Sequence, residues 1–407
     1  MKKTIRIVGL MLVTVISSGL LACGGDDDVL TPPKQQEKQE EQTETPASYQ
    51  EMVATPLTLE ALANGTITFS NNAAGPVTYR IDGGGSQTIA SYTDVDINVT
   101  TGQKVTFYGN NATYATELSI GRYSNINCNM DFYVYGNIMS LVKSTDFANA
   151  TVLTASHTFA GLFEFNQRLK NSPSKALVLP ATTLTKHCYE SMFSCCSSLV
   201  SAPALPAITL SECCYRSMFS LCYNLTEAPE LPATKLANDC YGCMFSNCTS
   251  LSTAPALPAT DLADDCYQGM FQSCTGLTTA PALPATKMLD RCYSSMFYRC
   301  TALKAAPSLP ATTLAYRCYG SMFDGCTELT EAPSLPAKTL ADWCYYEMFK
   351  GCTKLSKIRC MATSFANKST TDWVQGVRIS GKFTKATGIN WPSGSNGIPS
   401  GWTVESN

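Results

Sequence analysis

The sequence predicts an α/β solenoid of 26-residue units, each a short helix plus a short extended segment, preceded by a small all-β sandwich-like domain. Three observations carry this expectation. Leu-Pro-Ala recurs with its proline at 180, 206, 232, 258, 284, 310 and 336, a period of 26 residues held seven times without an insertion. Within each period the same apolar positions return. Before the repeats, residues 57–141 alternate apolar and polar side chains at period two.

The chain opens on Lys2, Lys3 and Arg6, followed by the apolar run Ile7 to Leu21. A basic start and a short apolar core read as a secretory signal over residues 1–22, too short for a stable membrane span. Leu20-Leu21-Ala22-Cys23 closes it and resembles the lipobox of bacterial lipoproteins. That resemblance implies cleavage before Cys23 and acylation of its thiol. The run Asp26, Asp27 and Asp28 resembles the surface-export signal of Bacteroidetes lipoproteins. Residues 23–55 are rich in Pro, Gln and Glu, which bury too little apolar surface to offset their ordering entropy, so they read as a lipidated flexible tether. The implied location is the outer membrane, lipid-anchored and facing outward.

The region 56–150 reads as the sandwich-like domain. Thr66 to Phe69, Val77 to Ile81, Val95 to Val99 and Lys104 to Tyr108 alternate at period two, and Asn64-Gly65, Gly83-Gly84-Gly85 and Gly102 punctuate them. Its role is either a binding module or a cover for the open end of the repeats.

The solenoid is assigned to residues 151–358, as an N-terminal cap plus seven units. In one unit Leu262, Cys266, Tyr267, Met270, Phe271 and Cys274 stand at offsets 0, 4, 5, 8, 9 and 12. Such offsets predict one face of a short helix. Leu277, Ala280 and Leu283 then return the chain in extended form. Prolines 203, 229, 255, 281, 307 and 333 fall within that extended segment and lack a donor, which predicts a very short strand. Phe159 to Leu169 form a degenerate first unit whose Leu179-Pro180 arrives four residues late. Residues 359–407 read as a C-terminal cap holding Trp373, Trp391 and Trp402.

This unit resembles the BspA-like leucine-rich repeats of bacterial surface proteins over residues 158–358. Met270-Phe271, Cys274, Leu277 and Leu283-Pro284 match the family's aromatic, cysteine, leucine and Leu-Pro places. Met in place of a small residue, the upstream Cys-Tyr, the Ala-Pro pair and the greater length depart from it. The resemblance implies a leucine-rich-repeat solenoid that binds host or bacterial surface proteins.

Twenty cysteines in an exported chain suggest disulfides, but fourteen occupy two repeat positions that should point inward, where a free thiol serves as a small hydrophobe, so disulfides stay the alternative. Zinc is the competing reading where His187-Cys188, Cys195-Cys196 and Cys213-Cys214 crowd, but periodic placement favours core packing and no metal or cofactor is expected. The tyrosines from Tyr189 to Tyr345 suit a partly buried seam or an exposed ladder. With 29 basic and 32 acidic residues there is no field to favour nucleic acid. With two histidines, His157 and His187, and no catalytic motif, an enzyme is not expected. The expected partner is a protein, or alternatively a glycan, with membrane contact through the lipid. The variable positions of the extended segment are small and polar. Those flanking the proposed helix are His187, Asp239, Asp265, Arg291, Arg317 and Trp343. No binding residue is singled out.

Overall fold

The computed structural model describes residues 48–117 and 121–407. They contain one α-helix, α1 (Tyr49–Ala54), six residues long and started by a capping box between Ser48 and Glu51. It falls within the stretch read as tether.

Ten strands follow: β1 (Thr58–Ala61), β2 (Gly65–Asn71), β3 (Val77–Ile81), β4 (Gln87–Ile89), β5 (Thr93–Val99), β6 (Lys104–Gly109), β7 (Ala115–Glu117), β8 (Arg122–Tyr123), β9 (Asn125–Cys128) and β10 (Phe132–Asn137). β10-β1-β6-β3-β4 form one antiparallel sheet and β5-β2-β9 another. The alternating residues bury Leu59, Ile67, Phe69, Val77, Val105 and Phe107. On its other edge β10 pairs in parallel with β11 (Leu169–Asn171) and β12 (Leu177–Val178), both from the first repeat layer. The first sheet therefore runs on into the repeats. Gly136 permits the close approach there: its φ is +85°, and a Cβ would stand 2.1 Å from the carbonyl oxygen of Pro56.

The repeats form no helix, which corrects the α/β expectation. The Cys-Tyr-x-x-Met-Phe-x-x-Cys segment is instead a chain of tight turns, with a left-handed residue at every fourth position. In one layer these residues are Asp265 (φ 57°), Gly269 (φ 60°) and Ser273 (φ 57°). Three rows of such residues run through the stack. The first is His157, His187, Cys213, Asp239, Asp265, Arg291, Arg317, Trp343 and Lys368, at φ 51–58°.

The hydrogen bonds explain why this geometry wins. Alternate amides close turns within the layer: Gln268, Met270 and Gln272 donate to the carbonyls three residues back. The amides between them donate to the next layer: Asp265 to Asp290, Tyr267 to Cys292, Gly269 to Ser294, Phe271 to Met296 and Ser273 to Tyr298, at 2.7–3.0 Å. A helix would spend these donors within its own segment. Here they join layers, offsetting a strain of roughly 1–2 kcal/mol for each non-glycine residue in the left-handed region.

The extended segment stacks as well, but thinly. Parallel contact is reduced to single bridges such as Ser201 with Glu227 and Thr253 with Thr279. A continuous ladder appears only at the C-terminal end, where β13 (Glu331–Leu335), β14 (Lys357–Cys360), β15 (Lys382–Lys385) and β16 (Thr403–Ser406) pair in parallel. The register shifts between Glu331 and Ser334, around Pro333, which has no amide to donate.

Candidate binding site

The interior repeats from layer to layer. Tyr189 to Tyr345 form a column of stacked rings 5.6–6.1 Å apart, and Phe163 to Phe349 a second column at 5.5–5.8 Å. Each repeat tyrosine is only 1% exposed, so the tyrosines form a core column and not an outer ladder. Both cysteine rows are buried and carry free thiols. The second row does more than fill space. Cys196, Cys222, Cys248, Cys274, Cys300, Cys326 and Cys352 each donate to a phenylalanine carbonyl of the preceding layer at 3.0–3.1 Å. Burial pushes the Cys274 thiol up to about 12, which keeps it protonated as a donor.

The exterior does not repeat. The first left-handed row opens with His157, His187 and Cys213 and then turns acidic, ion-paired between layers. Asp239 pairs with Arg216, and Asp265 receives two 2.7 Å bonds from Arg291. Further on, the same face turns aromatic and cationic. The Arg317 guanidinium lies 5.2 Å from the ring centre of Tyr346 and Lys368 4.8 Å from that of Trp343, while on the third left-handed row Arg299 lies 5.1 Å from that of its chain neighbour Tyr298. Trp343 meets Tyr346 edge-on at 4.9 Å. Tyr316, at 41% exposed, lies beside Arg317 in the chain. Half-buried Asp324 is pushed up to about 6 by burial and by Glu347, against the opposing pull of Lys350 and Arg299. Arg317 and Trp343 are variable positions noted in the sequence. Arg317 with Tyr346, and Trp343 with Lys368, come together only through the stacking of layers. No pattern within one unit could have found them, since each pair joins two layers.

Comparison with family models, with curated proteins and with solved structures finds no match. The chemistry of this face therefore rests on its own residues.

A cavity lies where the sandwich meets the repeats. Its volume is about 510 Å³, and Met52, Val134, Phe193, Leu199 and Pro203 line it. The four-residue delay before Leu179-Pro180 builds one wall, through Pro173 to Ala176. Asn171 seals the adjoining edge, since its Oδ1 accepts the amides of Val200 and Ser201 and its Nδ2 donates to the Ser201 carbonyl.

The C-terminal tryptophans close the stack. Trp373 is fully buried, stacks 6.0 Å from Tyr345, contacts Phe349 at 6.2 Å and donates from Nε1 to the Gly397 carbonyl. Trp391 stacks on Trp373 at 5.5 Å, and Trp402 is buried with Nε1 bonded to the Arg378 carbonyl. Their ring faces are used within the cap. Cys23, Asp26, Asp27 and Asp28 lie outside the described residues. No helix among the described residues is long and apolar enough to cross a membrane.

Two sets of three side chains among the described residues could converge on a metal ion: His157, His187 and Glu190, and His187, Glu212 and Cys213.

Proposed function

We propose that this chain is a lipid-anchored surface scaffold of BspA-like type that binds a protein through the outer turn face around Tyr316, Arg317, Trp343 and Tyr346. One observation carries the reading: an interior held constant from layer to layer presents a varied exterior, and that exterior gathers arginine, tyrosine and tryptophan in one place. These are the residue types that dominate the energetics of protein interfaces. The layer-to-layer hydrogen bonds hold them on a rigid face, which limits the entropy lost on binding.

Anchoring through Cys23 and export through Asp26 to Asp28 belong to the same proposal and rest on the sequence motifs. The glycan alternative loses one of its two supports, since Trp373, Trp391 and Trp402 pack into the cap, and keeps the N-terminal sandwich.

The test is a binding screen of the purified chain against host matrix proteins, bacterial surface proteins and a glycan array, repeated with Arg317→Ala and Trp343→Ala. Each is expected to weaken a protein hit by at least about 2 kcal/mol, the usual size for a hot-spot residue. A glycan hit alone, or a protein hit that both variants leave unchanged, overturns the assignment. Cys23→Ala should release the protein from the membrane fraction; retention after a carbonate wash refutes the anchor.

A further inference from the structure

The only two histidines of the 407-residue chain, His157 and His187, occupy the same corner of consecutive layers. Both sit at φ 57° on the first left-handed row. Their rings lie parallel, 3° apart in orientation, with centres 4.6 Å apart. Glu190, one tight turn beyond His187, brings Oε2 to 2.7 Å from its Nδ1. A ligand atom from each of the three lies within 4.8 Å of the others, and all three side chains are half-buried.

We propose that His157, His187 and Glu190 bind a borderline divalent transition-metal ion, with Zn2+ as the representative. Two imidazole nitrogens and one carboxylate oxygen are a donor set that suits zinc and leaves a fourth position open. Tetrahedral zinc with bonds of about 2.0–2.1 Å places its donors about 3.3 Å apart, so modest side-chain rotations close the set. The surroundings favour this trio over the neighbouring one. Arg216 Nε lies 3.8 Å from Glu190 Oε1 and orients that carboxylate while Oε2 remains toward the histidines. In the other trio Glu212 is held by Lys186 at 2.6 Å, and the Cys213 thiol faces Asp239. The assignment departs from the sequence expectation of no metal, because no spacing rule places residues 157 and 187 together. An ion here would link the capping layer to the first regular one and leave a position for water or for a partner's donor.

The test is calorimetric titration of ZnCl2 into the full chain and its variants, with circular dichroism to confirm folding. His157→Asn and His187→Asn suit a left-handed backbone, which asparagine tolerates. One ion per chain is expected for the natural sequence. Both variants should lose at least roughly 100-fold in affinity, since even an outer-shell partner is worth roughly 10–100-fold. Cys213→Ser should bind as the natural chain does, and the Co2+ form should lack a thiolate charge-transfer band. Absence of binding by the natural chain overturns the proposal. So does unchanged affinity in His157→Asn, or loss of binding in Cys213→Ser together with a thiolate band, which would move the ion to the other trio.

Discussion

At the scale of single residues, the two cysteine rows look alike in sequence and differ in chemistry. Cys266 is fully buried, and its thiol reaches the carbonyl of Cys292 only at 3.9 Å, so its contribution is mainly volume. Cys274, equally buried, donates to the Phe245 carbonyl at 3.0 Å. Both substitutions to alanine remove packing at a cost of about 1–2 kcal/mol, by extrapolation from large-to-small core changes. Cys274→Ala also removes a hydrogen bond worth about 1 kcal/mol. Urea titrations should therefore rank Cys274→Ala about 1 kcal/mol below Cys266→Ala. Equal losses would show that the second row, too, is only filler.

At the scale of the element, turn and helix make opposite demands on one position. Ser273 has φ 57°, where glycine relieves strain, whereas glycine in a helix interior costs about 0.5–1 kcal/mol relative to alanine. Ser273→Gly should raise stability by up to about 1 kcal/mol. Gln272→Gly, at a neighbouring position without that strain, should lower it by a similar amount. Thermal unfolding of the two variants gives the comparison, and destabilisation by both would return the segment to a helix. The offsets 0, 4, 5, 8, 9 and 12 fit either structure on inspection. Wound on a helix, however, they would spread over about 180° of its circumference, while a four-residue turn repeat keeps 0, 4, 8 and 12 in line.

At the scale of the whole molecule, a stack of layers leaves unmatched groups at both ends, and each end is closed by different means. At the first layer the carbonyls of Thr158 and Leu162 accept the amides of Tyr114 and Ile126, and Asn125 Nδ2 donates to those of Gly161 and Glu164. The sandwich thus stands in for a missing layer and covers the open end. At the other end the amides of Asp372 and Val374 reach Asn396 Oδ1 and the Ser395 carbonyl. Trp373 terminates both aromatic columns, so Trp373→Ala should cost about 3–5 kcal/mol. In a repeat stack that loss spreads from the damaged end. Hydrogen exchange should quicken first at Tyr345 and Phe349 and leave Tyr189 and Phe193 protected. Uniform loss of protection would mean that the layers unfold as one unit.

The sequence by itself determined the period, the inward set and the presence of a β-rich region before the repeats. Those features follow from where apolar side chains recur, as at Leu262, Met270 and Phe271, and recurrence is written in the chain. Only the tertiary structure decided that the unit is a run of turns and not a helix, because half of its amides find acceptors in another layer. A local pattern cannot report a partner that lies 25 residues away, as Cys292 does from Tyr267. The outer clusters were hidden for the same reason. Arg317 meets Tyr346, and His157 meets His187, only once the layers are stacked.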